Sequence, residues 1–138
     1  MADLAHYVER DSSYGRLGQY LYGHRAATPI SDIDEAGNCL TIDGIKVRFL
    51  KTNRNPVDLG WRDHDVKLVV ETTGRYLDTS LPSRHPGGAV RGHLDAGAEI
   101  VVASAPFKIK DKGQSMPEDA VTTVMGINAN DFDPRRHR

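Results

Sequence analysis

The sequence predicts an α/β fold with parallel strand pairing in its second half. Two uninterrupted β-branched runs, "VKLVVE" (66–71) and "EIVVASA" (99–105), flank a stretch of helical character. Strand, helix, strand is the alternation that builds parallel sheets. A second pattern, short alternating runs broken at Gly37 and Gly44, occupies residues 28–51 and predicts an antiparallel meander.

The elements follow in chain order. "ADLAHYVERD" sets Leu4, Tyr7 and Val8 at helical spacing, with Asp3 available as an N-cap. "SSYGRLG" breaks that helix, and "QYLYGHRAA" (19–27) has aromatic residues without periodicity, so a loop is expected there. The meander comes next. "VKLVVE" is a continuous apolar run, the pattern of a strand buried on both faces. A loop rich in Pro, Ser and Gly leads to "GAVRGHLDAGA", a short helix closing at Gly97. "EIVVASA" is the next buried strand, and "AVTTVMGIN" (120–128) is expected as a third. The "RRHR" tail is expected to be solvated and frayed.

Bulk properties exclude several classes. With 138 residues, the chain suits one domain of ordinary size. At 38% apolar and 27% charged it reads as globular rather than disordered. The formal charge is −1, from 18 basic and 19 acidic side chains, which gives no bias toward nucleic acid or an anionic membrane. No apolar run approaches the ~20 residues of a membrane helix, and no leader pattern opens the chain, so cytoplasmic residence is expected. Cys39 is the single cysteine, which excludes a disulfide framework within the chain.

The chemistry is expected where the parallel strands end. Ligands of open parallel sheets bind at the carboxyl ends of the strands. Both runs stop there at small or hydroxylated residues, "TTG" (72–74) and "SAP" (104–106). Small residues admit a flat ligand close to the backbone, and hydroxyls and N–H groups supply hydrogen bonds. The same residues also serve plain tight turns, and spacing leaves both readings open. "GGAVRG" (87–92) is out of G-x-G-x-x-G register, and no G-x-x-x-x-G-K-[ST] motif occurs. Cys39 sits on a meander strand and is expected to be a buried or half-buried structural thiol. The six histidines, His64 and His93 among them, form no metal-binding pair at helical spacing. No catalytic dyad and no metal site is assigned.

Taken together these segments resemble phosphorylating glyceraldehyde-3-phosphate dehydrogenase, nearly end to end and in order. "LTIDGIKVRFLKTNRNPVDLGW" is similar to that family's hairpin and the "ERDP" segment after it. "VVETTGRY" is similar to its "VVESTGxF", "HLDAGAEIVVASAP" to its "HLxAGAKKVVISAP", and "TTVMGINANDFDP" to its "xxVMGVNHxxYD". The resemblance implies that residues 1–138 are part of a Rossmann-type NAD(P)-binding domain with an antiparallel hairpin insertion. It implies NAD as the cofactor. Thr72, Thr73, Gly74 and Tyr76 would line the adenosine side and pyrophosphate, Arg54 would approach the adenine end, and Ser104 and Ala105 would sit nearer the nicotinamide.

The departures from the family carry expectations too. Its opening "GFGRIGR", part of the first β-α-β unit, has no counterpart here, and neither has its catalytic "SCTTNC" or base histidine. Cys39 matches a hairpin position and cannot stand in for the nucleophile. The chain by itself is therefore expected to lack catalysis, to bind NAD weakly or not at all, and to present open sheet edges that invite self-association or pairing with a full-length homologue. The alternative reading is a stand-alone, non-catalytic remnant. "RGHLDAGA", "SAPFKIKDK" and "MPEDAVTTV" resemble the branch of the family found with arsenate-resistance genes, whose product would be an arseno-phosphoglycerate. Glycolytic and erythrose-4-phosphate variants remain open.

Overall fold

The computed structural model describes residues 1–24, 27–51 and 53–138. Arg25 and Ala26, inside the expected loop, and Thr52, inside the segment resembling the family hairpin, lie outside the described residues. The chain forms two compact units, Met1–Lys51 and Thr52–Arg138.

In the first unit, helix α1 (Ala2–Glu9) packs Ala5 inward and lies against the meander. Its N-cap is Met1 rather than Asp3, which sits within the first turn, where its negative charge suits the helix dipole. A two-residue ladder, β1 (Arg10–Asp11) with β2 (Gly15–Arg16), follows. The Asp11 carboxylate closes its turn by accepting the Ser13 and Tyr14 N–H groups at 2.7 and 2.8 Å.

The loop expected over 19–27 is in part a helix, α2 (Leu17–Tyr22), ending at Gly23. Its single turn and a half is too short for periodicity to register, and its fixing contact is distant in sequence: the Tyr22 hydroxyl donates to Asp43.

The meander is as expected. Strands β3 (Ile30–Asp34), β4 (Cys39–Ile42) and β5 (Ile45–Arg48) form an antiparallel sheet with β4 in the middle. Asp43 and Gly44 turn β4 into β5 with φ of 50° and 79°. Two successive left-handed residues match the twist of a tight hairpin, and an Asp-Gly pair adopts them readily. Leu40 and Cys39 of the central strand are the buried heart of this unit.

In the second unit, β6 (Leu68–Glu71) pairs in parallel with β7 (Ile100–Ala103), residue for residue from Leu68↔Ile100 to Glu71↔Ala103. The short helix α3 (Gly92–Asp95) lies between them in sequence and turns at Gly97, as expected. Val69 and Val101 face inward with Val90 and Ala98, and Trp61, Val66, Tyr76, Leu94 and Phe107 complete the cluster.

Burial on both faces is not found. Leu68, Val70 and Val102 are 55%, 57% and 50% exposed, while Val69 and Val101 are each at 8%. Alternate residues of a strand face opposite ways, and among the described residues of this unit a layer covers one face only. The third strand expected over 120–128 does not form either. The Asn128 side chain takes the polar groups a strand would pair: Oδ1 accepts the Val124 N–H at 2.7 Å and Nδ2 donates to the Thr122 carbonyl at 3.0 Å. The tail is solvated as expected, with Arg135, Arg136 and Arg138 exposed, but it is tied back by hydrogen bonds rather than frayed. The Arg138 N–H donates to the Asp119 carbonyl at 2.9 Å, and His137 Nδ1 accepts the Asp133 N–H at 2.9 Å.

Candidate functional site

The parallel register brings the two small-residue turns side by side. Glu71 and Ala103 are ladder partners at the carboxyl ends of β6 and β7, so "TTG" and "SAP" emerge at the same edge. The Ser104 N–H extends the ladder by donating to the Glu71 carbonyl at 3.1 Å.

The Thr72–Gly74 turn is built from beneath by Glu71. This carboxylate is 4% exposed. Its Oε1 accepts the Thr73 N–H at 2.6 Å and also the Thr73 hydroxyl. Thr73 Oγ1 in turn accepts the Arg75 N–H at 3.2 Å, which leads the chain into Gly74 at φ 68°. The Thr73 hydroxyl is thus engaged by the protein, while Thr72, Thr73 and Gly74 remain exposed at the surface of the turn.

Behind Glu71 stands His93, which the sequence presented only as one of several scattered histidines. Its Nε2 lies 3.2 Å from Glu71 Oε2, and its Nδ1 accepts the Trp61 indole N–H at 2.9 Å. Accepting at Nδ1 fixes the neutral tautomer with the proton on Nε2, aimed at the carboxylate. The imidazole stacks on Trp61 at 5.9 Å and meets the Tyr76 ring edge-on at 6.3 Å. Burial lowers its pKa below the ordinary 6.5, outweighing the opposite pull of the Glu71 hydrogen bond and charge.

Tyr76 and Arg54 are brought together, since the Tyr76 hydroxyl donates to the Arg54 carbonyl at 2.7 Å. The Arg54 side chain is exposed, and the following Asn55 donates from Nδ2 to the His85 carbonyl at 3.2 Å. Gly74 and Tyr76 line a pocket of about 220 Å³ with Arg75, Lys108 and Lys110. Its floor includes Asp78, a buried carboxylate held below its ordinary range first by the Ser80 hydroxyl. Ser104 and Ala105 line a different space, an open groove of about 460 Å³ beside β7 bounded by Val121–Val124 and Phe132. Of the seven predicted residues, Gly74 and Tyr76 line one depression and Ser104 and Ala105 another, while Thr72 and Thr73 stand on the turn itself and Arg54 is joined through the Tyr76 hydroxyl. Glu71, Trp61 and Asp78 were missed. The available signal was an acid closing an otherwise β-branched run.

Among the described residues no cluster of three or more His, Cys, Asp or Glu side chains is placed to hold a metal ion. Cys39 is buried on β4, its Sγ 3.2 Å from the Gly37 carbonyl, as a structural thiol would be. No helix among the described residues is long and apolar enough to cross a membrane.

No family model matches the chain. Curated proteins do. The chain is 32% identical over 134 residues to glyceraldehyde-3-phosphate dehydrogenase of Geobacillus stearothermophilus, a match covering 97% of this chain and 31% of that protein. It matches a part of the glyceraldehyde-3-phosphate dehydrogenase family. Glyceraldehyde-3-phosphate dehydrogenase of Treponema pallidum (strain Nichols) is 33% identical over 139 residues, covering 98% of this chain and 32% of that enzyme. Glyceraldehyde-3-phosphate dehydrogenase 2 of Bacillus subtilis (strain 168) is 31% identical, with 97% and 31% covered. The chain thus spans about a third of the length of these dehydrogenases.

Proposed function

We propose that the chain is the part of a cytoplasmic, NAD-dependent glyceraldehyde-3-phosphate dehydrogenase that supplies two walls of the dinucleotide cleft. Thr72, Thr73, Gly74 and Tyr76, with Arg54 beside them, form the adenosine and pyrophosphate wall. Ser104 and Ala105 form the wall nearer the nicotinamide. The observation that carries this reading is the parallel Glu71↔Ala103 register, which sets both turns at one carboxyl edge, the edge at which open parallel sheets bind their ligands. Chemistry on the aldehyde, whether phosphate or arsenate accepts the acyl group, would belong to residues outside this stretch. Taken alone, these residues should bind NAD only weakly. Titrating NAD into the isotopically labelled chain should shift the amides of Thr72–Tyr76 and Ser104–Ala105. Saturation at low micromolar NAD, or shifts confined elsewhere, would refute it.

A second reading is favoured by the open face of the β6–β7 pair, where Leu68, Val70 and Val102 are exposed side by side. In it the chain is a non-catalytic module that associates, with itself or with a full-length relative, through that sheet. Light scattering coupled to gel filtration decides: a monomer at all concentrations counts against it.

A further inference from the structure

We propose that neutral His93 is the positioning residue that locks the Thr72–Thr73–Gly74 turn through Glu71, and that protonation of its Nδ1 releases the turn. The inference rests on the dinucleotide reading only for what the turn holds, not for how the turn is held.

A relay of hydrogen bonds joins the buried interior to the exposed turn. Trp61 Nε1–H donates to His93 Nδ1, His93 Nε2–H points at Glu71 Oε2, and Glu71 Oε1 takes the N–H and hydroxyl of Thr73. Every donor in the relay faces an acceptor, Glu71 Oε1 accepting twice, and the histidine and glutamate side chains are each 4% exposed. Such a network tolerates one protonation pattern. A proton arriving from solvent at Nδ1 would set an imidazolium N–H against the indole N–H, donor against donor, in a site with no water-facing escape.

Both rings are anchored through their backbones: the Trp61 carbonyl accepts the Val66 N–H at 3.0 Å, and the His93 N–H donates to the Val90 carbonyl at 3.1 Å while its carbonyl accepts the Ala98 N–H at 3.0 Å. One ring must therefore give; where the imidazolium shifts, its charge-assisted bond draws Glu71 Oε2 along and pulls Oε1 from the 2.6 Å bond that holds Thr73. The titratable groups against His93 are Glu71 from β6 and the phenol of Tyr76, whose hydroxyl is turned to the Arg54 carbonyl. Arg62 and Asp63 stand on the turn carrying Trp61, and Arg91 and Asp95 flank His93 in sequence, Arg91 paired with Asp119 and Asp95 with the Ser83 hydroxyl. Desolvation keeps the lock closed at neutral pH.

The test is nuclear magnetic resonance of the ¹⁵N-labelled 138-residue chain from about pH 7.5 to about pH 5. At the upper end His93 should carry its proton on Nε2. As pH falls, the Trp61 indole N–H and the Thr73 amide should shift together with the His93 midpoint. A proton on Nδ1 at the upper end, or a Thr73 amide that ignores the His93 titration, overturns the proposal. H93Q retains one acceptor and one donor without a titrating group, and should keep Thr73 in its high-pH position throughout. H93F should leave it released at every pH, with amide exchange faster on the order of tenfold. The wild-type titration decides the matter even if H93F does not fold. Added NAD separates the two ideas. Failure to shift Thr73 at the upper pH removes the dinucleotide reading and leaves the lock standing, whereas uncoupled titration removes the lock whatever NAD does.

Discussion

Arg91 and Asp119 meet in a two-pronged ion pair, Nη1 to Oδ1 at 2.9 Å and Nη2 to Oδ2 at 2.8 Å, across 28 residues of chain. The pair ties the segment beside α3 to residues 117–138, which contain no strand. With the two side chains 33% and 29% exposed, solvent screens part of its worth. D119N should cost about 1–2 kcal/mol and make the 117–138 segment the first site of proteolysis. Arg91 is also the main cause of the low Asp119 pKa, below the ordinary 3.8. The pair's contribution is therefore complete above that value and is lost as pH falls through the lower folded one. A denaturation midpoint unchanged by D119N at neutral pH would contradict this.

Leu40 is fully buried at the middle of the meander, and Ile45, on the neighbouring strand, is 68% exposed. L40A should cost about 2–5 kcal/mol, because the cavity it leaves cannot fully collapse. I45A should stay within about 0.5 kcal/mol. Urea denaturation of the pair checks the contrast, and equal losses would mean that the meander is packed differently.

Two left-handed glycines near Tyr76 should respond unequally to substitution. A Cβ on Gly88, at φ 81°, would stand 2.5 Å from Tyr76 Cε1 and 3.1 Å from Pro56 Cδ. Gly74, at φ 68°, has nothing within 4 Å of such an atom. G74A should therefore cost only backbone strain, about 1–2 kcal/mol. G88A adds overpacking and should reach about 2–4 kcal/mol, displacing the Tyr76 ring and its bond to Arg54. Thermal melts of both variants, with tyrosine fluorescence, provide the measurement.

Acid should destabilise the chain through His93. Its pKa is below 6.5 in the folded state because of burial, so the folded state binds fewer protons than the unfolded one on the acid side. The contribution is complete above 6.5 and drains away as pH falls through the folded value. Urea midpoints between about pH 8 and about pH 5 should decline for the wild type and decline less for H93Q. Parallel curves for the two proteins would refute the assignment.

Much of this architecture is legible in the residues. Asp43–Gly44 marks a tight hairpin, and the β-branched runs at 68–71 and 100–103 mark strands, because these features act over a few residues. The misreadings have a common cause. Helix α2 is fixed by Tyr22 reaching Asp43, and the 120–128 segment is folded by Asn128 on itself rather than into the sheet. Neither contact leaves a periodic trace. The resemblance carried by the ordered segments 40–61, 69–76, 93–106 and 122–134 pointed to the correct family, since several motifs in order and at the right spacing are far more specific than any one turn.

The candidate site divides the same way. The sequence by itself determined which turns end the parallel strands, because small and hydroxylated residues after β-branched runs declare it locally. Only the tertiary structure decided what holds the first turn. Trp61, His93, Glu71 and Thr73 are up to 32 residues apart, and nothing in their spacing announces a shared hydrogen-bond relay. Burial turns that juxtaposition into chemistry: away from water, each donor must find its one acceptor, and a histidine becomes committed to a single protonation state.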